Sequence, residues 1–282
     1  MDFDVSRIEG MAARLRSDIL KMITLAGSGH PGGSLSAADI VATLYFGDVL
    51  KYRAGEPDWP GRDRFILSKG HAAPVLYSAL AQAGFFEVSE LGTLRKFGSR
   101  LQGHPDSQKL PGVEVSTGSL GQGLSIGAGV AFGLLADGKA DQQVFVLLGD
   151  GELQEGQVWE AAMFAAHRRL GNLIAIIDYN KLQIDGALDE VVGLGDITSK
   201  FLAFGFKVFE IDGHDIKAIK DALTEAITYH DGPVAIIAHT IKGKGVSFME
   251  NECGWHGKAP SDELCDSALD ELAPFCARGG EA

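Results

Sequence analysis

The chain has 282 residues, 45% of them hydrophobic, and carries 25 basic against 38 acidic residues for a formal net charge of −13. That size and apolar content suit a globular protein with a large core and exclude a disordered chain. The acidic field repels nucleic acid and anionic lipid, so an anionic substrate needs a local cluster of His, Lys and backbone N–H groups to reverse it.

The N-terminus, Met1-Asp2-Phe3-Asp4, is acidic and has no apolar h-region, so no signal peptide is expected. Ile8, Met11, Ala12, Leu15, Ile19, Met22, Ile23 and Ala26 then recur at helical spacing, with Arg14, Arg16, Asp18 and Lys21 off that stripe. Ser28-Gly29-His30-Pro31-Gly32-Gly33 breaks this helix, and a second follows over 37–46. Short apolar runs at 65–67, 144–148, 173–177, 207–211 and 234–238 read as strands. Helical stretches at 73–83, 121–135, 159–170 and 216–229 lie between them. Strands that are apolar throughout, alternating with helices, predict an α/β fold with a mostly parallel sheet covered on both faces. No repeat or interdomain linker is visible, so residues 1–282 read as a single domain with an N-terminal helical extension and a short C-terminal tail. No apolar run reaches the roughly 18–20 residues of a membrane span. The three cysteines, Cys253, Cys265 and Cys276, have no paired spacing, which argues against a disulfide framework or a structural zinc site and for a cytoplasmic location.

In such sheets ligands bind beyond the carboxyl ends of the strands, where the polar segments of this chain fall. Gly149-Asp150-Gly151-Glu152 ends one strand and Asp178-Tyr179-Asn180-Lys181 ends the next. Asp150 and Asn180 are hard oxygen donors, suited to Mg²⁺ or Ca²⁺ beside a diphosphate, and the flanking glycines let backbone approach phosphate. Taken alone, Gly-Asp-Gly is equally a tight turn with Asp as helix cap.

Four of the eight histidines sit beside Gly or Pro in loops: His30, His71, His104 and His256. Neutral imidazole donates and accepts, so such a group can bind sugar hydroxyls; protonated, it offsets phosphate charge. His167, His214, His230 and His239 carry no such context and read as structural. Thr117–Gly123 opens a helix of small residues whose N-terminus favours an anion. Lys242-Gly243-Lys244-Gly245 reads as a solvated face that could also steer phosphate, and Glu155 as a helix cap. Gly27-Ser28-Gly29-His30-Pro31-Gly32 matches a dinucleotide fingerprint, but it follows a helix instead of a strand and is rejected.

Six ordered segments together resemble the transketolase family of thiamine diphosphate enzymes. They are Gly29-His30-Pro31-Gly32, Leu67-Ser68-Lys69-Gly70-His71-Ala72, Gly103-His104-Pro105, Ser116 through Gly123, Gly149 through Gly156 with Asp178-Tyr179-Asn180-Lys181, and Trp255-His256-Gly257. Ser119 departs from the proline of many relatives. The resemblance implies a thiamine diphosphate-binding fold and the transfer of a two-carbon ketol unit from a ketose phosphate to an aldose. It implies that Asp150, the Asn180 side chain and the Leu182 carbonyl hold the metal. It places Gly118 and Leu120 at the aminopyrimidine, and Gly151, His71 and His256 near the diphosphate. His30, His104 and His256 are the implied catalytic residues, the first two against the sugar. The family's catalytic glutamate belongs to a second, pyrimidine-binding domain, and no residue here matches its motif. A separate subunit in a heterotetramer is therefore expected to supply it. Leu153-Gln154-Glu155-Gly156 and Asp178-Tyr179-Asn180-Lys181 favour transketolase over a deoxyxylulose-phosphate synthase or a 2-oxoacid dehydrogenase α chain, while intact Asp150, Asn180 and the four loop histidines argue against a non-catalytic cofactor-binding subunit; these remain the alternatives. Glu155 resembles the acidic residue at the family's dimer interface.

Overall fold

The computed structural model describes residues 3–279. Three helices open the chain: α1 (Val5–Ala26), α2 (Pro31–Ser36) and α3 (Ala38–Phe46). They are followed by β1 (Arg64–Leu67), α4 (Ala73–Gln82), α5 (Gln122–Ala136), β2 (Val144–Gly149), α6 (Gly156–His167) and β3 (Leu173–Tyr179). A two-stranded hairpin, β4 (Leu182–Gln183) and β5 (Gly186–Ala187), leads into α7 (Leu188–Val191) and α8 (Ile197–Ala203). The chain closes with β6 (Lys207–Asp212), α9 (Ile216–Thr228), β7 (Val234–His239) and α10 (Asp262–Cys276). The main sheet has the order β1-β2-β3-β7-β6, and every pairing in it is parallel.

Side chains alternate across this sheet; both faces of β1, β2, β3 and β7 are buried, while the edge strand β6 is half-exposed. Phe65, Leu67, Phe145, Leu147, Ile174, Ile176 and Ile236 pack with α1, α3, α4 and α9. Ile66, Val146, Leu148, Ala175, Ile177 and Ile237 pack with α5, α6 and α8. Two covered faces explain why the strands read as unbroken apolar runs. Each Val, Leu, Ile or Phe among them contributes roughly 1.5–3 kcal/mol on burial. Among the described residues no helix is long and apolar enough to cross a membrane.

Three local features differ from the sequence expectation. The Gly-His-Pro-Gly segment does end α1, at Gly27 in the left-handed region (φ 61), but Pro31 then starts the short α2, as its fixed φ allows. The expected C-terminal tail contains the 15-residue α10, capped by Ser261, with Cys265, Ala268 and Leu272 buried against the N-terminal helices. With α10 on one side and α3 and α4 on the other, α1 is enclosed, so Arg16, off the apolar stripe, is buried in an ion pair with Asp39. Asp18 is likewise drawn in, accepting from Ser78 Oγ (2.7 Å) and Gln82 Nε2 (2.8 Å).

Candidate active site

Parallel strands send their following loops to one edge of the sheet, and there β2 and β3 deliver the two predicted oxygen donors. Gly149 is in register with Asp178, so Asp150 and Asn180 leave adjacent strand ends. The Asp150 carboxylate accepts the N–H of Gly151 at 2.8 Å and that of Lys181 at 2.5 Å, which ties the two loops together. Asn180 Oδ1 accepts the N–H of Leu182 at 3.1 Å. Asp150 is only 3% exposed; burial, then the Asp178 carboxylate, pushes it up to about 6. A carboxylate that is costly to ionise and is hydrogen-bonded by backbone dipoles is stabilised by a cation beside it. The donor chemistry of this set (carboxylate, amide oxygen, backbone carbonyl) therefore fits Mg²⁺ or Ca²⁺.

Opposite these oxygens stand three imidazoles from three separate loops. The ring centroids of His30 and His71 are 5.4 Å apart, those of His30 and His256 5.6 Å, and those of His71 and His256 5.2 Å. Together with Gly118, Leu120, Asp150, Gly151, Asn180 and Leu182 they line one cleft of about 490 Å³. His104 is not part of that lining; its ring lies against Gly118, where an added Cβ would meet His104 Cγ at 3.0 Å. Gly118 sits at φ 147, a conformation other residues rarely adopt.

Burial lowers all four imidazoles, His30 to about 4 and His256 to about 3, so the rings are neutral near pH 7. In the ligand-free fold these imidazoles therefore add no positive charge to the cleft at neutral pH. The positive charge in the cleft comes instead from Lys242, which sequence reasoning placed on a solvated face. Lys242 is 2% exposed, and its Nζ donates to the Leu182 carbonyl (3.0 Å) and to His256 Nδ1 (2.8 Å). Burial lowers this ammonium to about 8, which keeps it mostly charged at neutral pH. A carbonyl has two lone pairs, so this bond leaves Leu182 one for a cation. Lys244 is half-buried and pairs with Glu250 at 3.5 Å.

Two further groups organise the site without having stood out in the sequence. Glu152 is buried and receives the Ser68 hydroxyl and the N–H groups of Gly121 (2.9 Å) and Gly149 (3.1 Å), joining the loops after β1 and β2 to the start of α5. Lys69 forms a fully buried ion pair with Asp178. Both lie within the family-like segments, and the one available signal was an acid and a base within otherwise apolar or glycine-rich stretches.

Glu155 occupies the N-cap position of α6 but makes no capping hydrogen bond, and it is exposed at the cleft edge. Outside the cleft, His214 Nδ1 stands 2.7 Å from Asp39 and its Nε2 accepts the N–H of Ile241 at 2.8 Å. His239 Nε2 lies 2.6 Å from Glu210.

A parallel sheet with hard oxygens at adjacent strand ends and neutral imidazoles lining the same cleft is an arrangement suited to an anionic cofactor. The family model described as transketolase, thiamine diphosphate binding domain, matches residues 9–272, and the chain belongs to the transketolase family. It is 43% identical over 265 residues to a 6-deoxy-6-sulfo-D-fructose transketolase subunit of Clostridium sp. (strain MSTE9), covering 94% of this chain and 96% of that one. Identity is 40% over 269 residues with an apulose-4-phosphate transketolase subunit of Phocaeicola vulgatus, covering 95% of each. The crystal structure of transketolase from Campylobacter jejuni superposes with a TM-score of 0.90 at 33% identity, covering 96% of this chain and 43% of that one. The chain thus spans nearly all of the two subunit relatives and less than half of the full-length enzyme.

Proposed function

We propose that this chain is the diphosphate- and metal-binding subunit of a transketolase assembled from two kinds of chain, one thiamine diphosphate-binding domain over 1–282, working in the reducing cytoplasm. The observation that carries the reading is the Asp150–Lys181 hydrogen bond, which draws two strand-end loops into one oxygen-rich corner facing three imidazoles. Thiamine diphosphate, when bound, supplies the electron sink that lets a ketose C–C bond break and re-form.

The residues of this chain bind, orient and manage protons. Asp150, Asn180 through Oδ1 and Leu182 through its carbonyl would hold Mg²⁺, with Gly151 giving close backbone access to the diphosphate. Lys242 adds a fixed ammonium to that anionic end. Because Lys242 donates to His256 Nδ1, the His256 proton resides on Nε2, which makes that edge a donor to a phosphate or hydroxyl oxygen. His71 stacks on His256 and fixes its plane. Gly118 and Leu120 form the wall expected against the aminopyrimidine. His30 in the cleft and His104 at its rim would hold the sugar hydroxyls and assist their proton transfers.

The partner would be a separate subunit carrying the pyrimidine-binding domain, in a heterotetramer; relatives of matching length that are themselves subunits support this. The exposed Glu155 is available to such an interface. The substrate class is a ketose phosphate or a sulfonated counterpart, the two chemistries those relatives' names state. The test is reconstitution with thiamine diphosphate and Mg²⁺. Ketol transfer should require both the chain and its pyrimidine-domain partner, and turnover by the chain alone at ordinary enzyme rates would refute the two-chain assembly.

A further inference from the structure

One guanidinium joins the two loops that carry His30 and His104. Arg95 Nη1 donates to Ser28 Oγ at 2.8 Å, while Nη2 stands 3.5 Å from both His30 Nδ1 and the Gly103 carbonyl. Gly103 admits this contact because it has no side chain: an added Cβ would stand 3.1 Å from Arg95 Cζ. Arg95 itself sits in the left-handed region at φ 58, with its N–H donated to the Leu101 carbonyl at 2.8 Å, so the loop is folded back to aim the side chain between the two histidine segments. A non-glycine residue in that conformation is held there by its surroundings.

The chemistry of the contact fixes more than position. A guanidinium has five donors and no acceptor, so the nitrogen facing it must present a lone pair. We propose that Arg95 is a positioning residue that holds His30 as the neutral tautomer protonated on Nε2 and locks the His30 and His104 loops to one another. A proton on Nδ1 would set N–H against N–H, and a doubly protonated ring would set cation against cation. The Nε2 edge lies 3.6 Å from where a Cβ on Gly257 would sit, and the His30 residue lines the cleft together with His71 and His256. His30 thereby becomes a donor on its cleft edge, the same polarity that Lys242 imposes on His256 through Nδ1. Two basic side chains behind two imidazoles give the cleft matched N–H donors aimed at an oxygen-rich ligand. The consequence for catalysis rests on the transketolase reading; the tautomer does not.

The test separates the two. Long-range ¹H–¹⁵N correlation spectra of the ¹⁵N-labelled chain, with His30 assigned by comparison with His30→Asn, should show wild-type His30 protonated on Nε2 and bare on Nδ1. In Arg95→Met, which keeps bulk and removes the donors, the His30 signals should move to a mixture of tautomers. In the complex with its partner subunit, kcat should fall about tenfold to a hundredfold through misplacement of the two imidazoles. Thiamine diphosphate affinity should change less than about twofold, and Arg95→Lys, with one donor position, should recover part of kcat. A wild-type His30 protonated on Nδ1 overturns the proposal, and that spectrum decides even if Arg95→Met fails to fold. So does Arg95→Met with an unchanged His30 tautomer, whatever its kcat. Should the wild-type complex transfer no ketol unit, the functional reading falls while the spectra still decide the role of Arg95.

Discussion

Lys69 reaches from the end of β1 across the glycine that ends β2 to pair with Asp178 in β3, and both side chains are shut off from solvent. Gly149 lies beneath the lysine stem, its would-be Cβ 3.8 Å from Lys69 Cβ. Ser36 Oγ (2.6 Å) and the Thr240 hydroxyl complete the shell of Asp178, and Lys69 is the first of the partners that hold its carboxyl below the usual range. Removing one member of a buried pair leaves the other uncompensated and costs about 3–5 kcal/mol. Lys69→Met should lower the urea midpoint accordingly, and a loss below about 1 kcal/mol would show that the hydroxyls alone neutralise Asp178.

The imidazole cluster makes stability depend on pH with a definite sign. His30, His71, His104 and His256 are all lowered from 6.5 in the fold. The unfolded chain therefore takes up protons first, and the stability from these groups is complete above 6.5 and is lost as pH falls toward the folded values, about 4 for His30. Asp18, Asp150 and Glu152 are raised by burial and act in the opposite sense over that window, so the sharp test is a difference between chains. Unfolding free energies of wild type and His30→Asn between about pH 7 and 4.5 should diverge by at most about 1.4 kcal/mol per pH unit, with wild type the steeper. Parallel curves would mean that His30 is free to protonate in the fold.

Helix α5 starts in near-contact with the loop after β1. A Cβ on Gly123 would lie 2.3 Å from Ser68 Oγ and 2.8 Å from Ser68 Cα, and Ser68 is pinned to the buried Glu152. Gly123→Ala should therefore push the α5 entrance away, costing about 1–3 kcal/mol as overpacking does. Gly121 would lose its bond to Glu152 at the same time, loosening the wall that Gly118 and Leu120 provide. Thermal unfolding reads the effect; an unchanged Tm would show that the entrance yields without strain.

Cofactor affinity should separate Lys242 from Asp150. Loss of a charge-assisted hydrogen bond costs about 1.5–3 kcal/mol, so Lys242→Met should weaken thiamine diphosphate binding about tenfold to a hundredfold while leaving its Mg²⁺ dependence intact. Asp150→Ala should instead abolish the metal-dependent part of binding in a chain that remains folded by circular dichroism. Calorimetry with and without chelator distinguishes the two, and unchanged affinity in Asp150→Ala would remove that carboxylate from the ligand set.

Strands, covering helices and strand-end donors were legible because apolar runs, helical spacing and turn residues are local signals. The Gly149-to-Gly156 segment placed Asp150 where the sheet puts it, and the Gly-His contexts of His30 and His71 placed them in the cleft. What escaped depends on distant packing. Lys242 read as part of a solvated face, and Arg16 lay off the apolar stripe, because nothing local tells that α10 and the His256 loop fold over them. The helix α10 had its own pattern in Leu264, Cys265, Ala268, Leu269 and Leu272, obscured by Pro274 and by acidic neighbours. Arg95 carries no motif at all, and Ser28, to which it reaches, is 67 residues away along the chain.

The central claim is that Asp150, Asn180 and the Leu182 carbonyl converge on one divalent cation. A crystal structure of the chain with thiamine diphosphate and Mg²⁺ tests it directly. The metal should lie about 2.0–2.1 Å from one Asp150 oxygen, from Asn180 Oδ1 and from the Leu182 carbonyl, with diphosphate oxygens completing the shell. A cofactor bound with its metal elsewhere, or with Asn180 turned away from Asp150, would contradict the account.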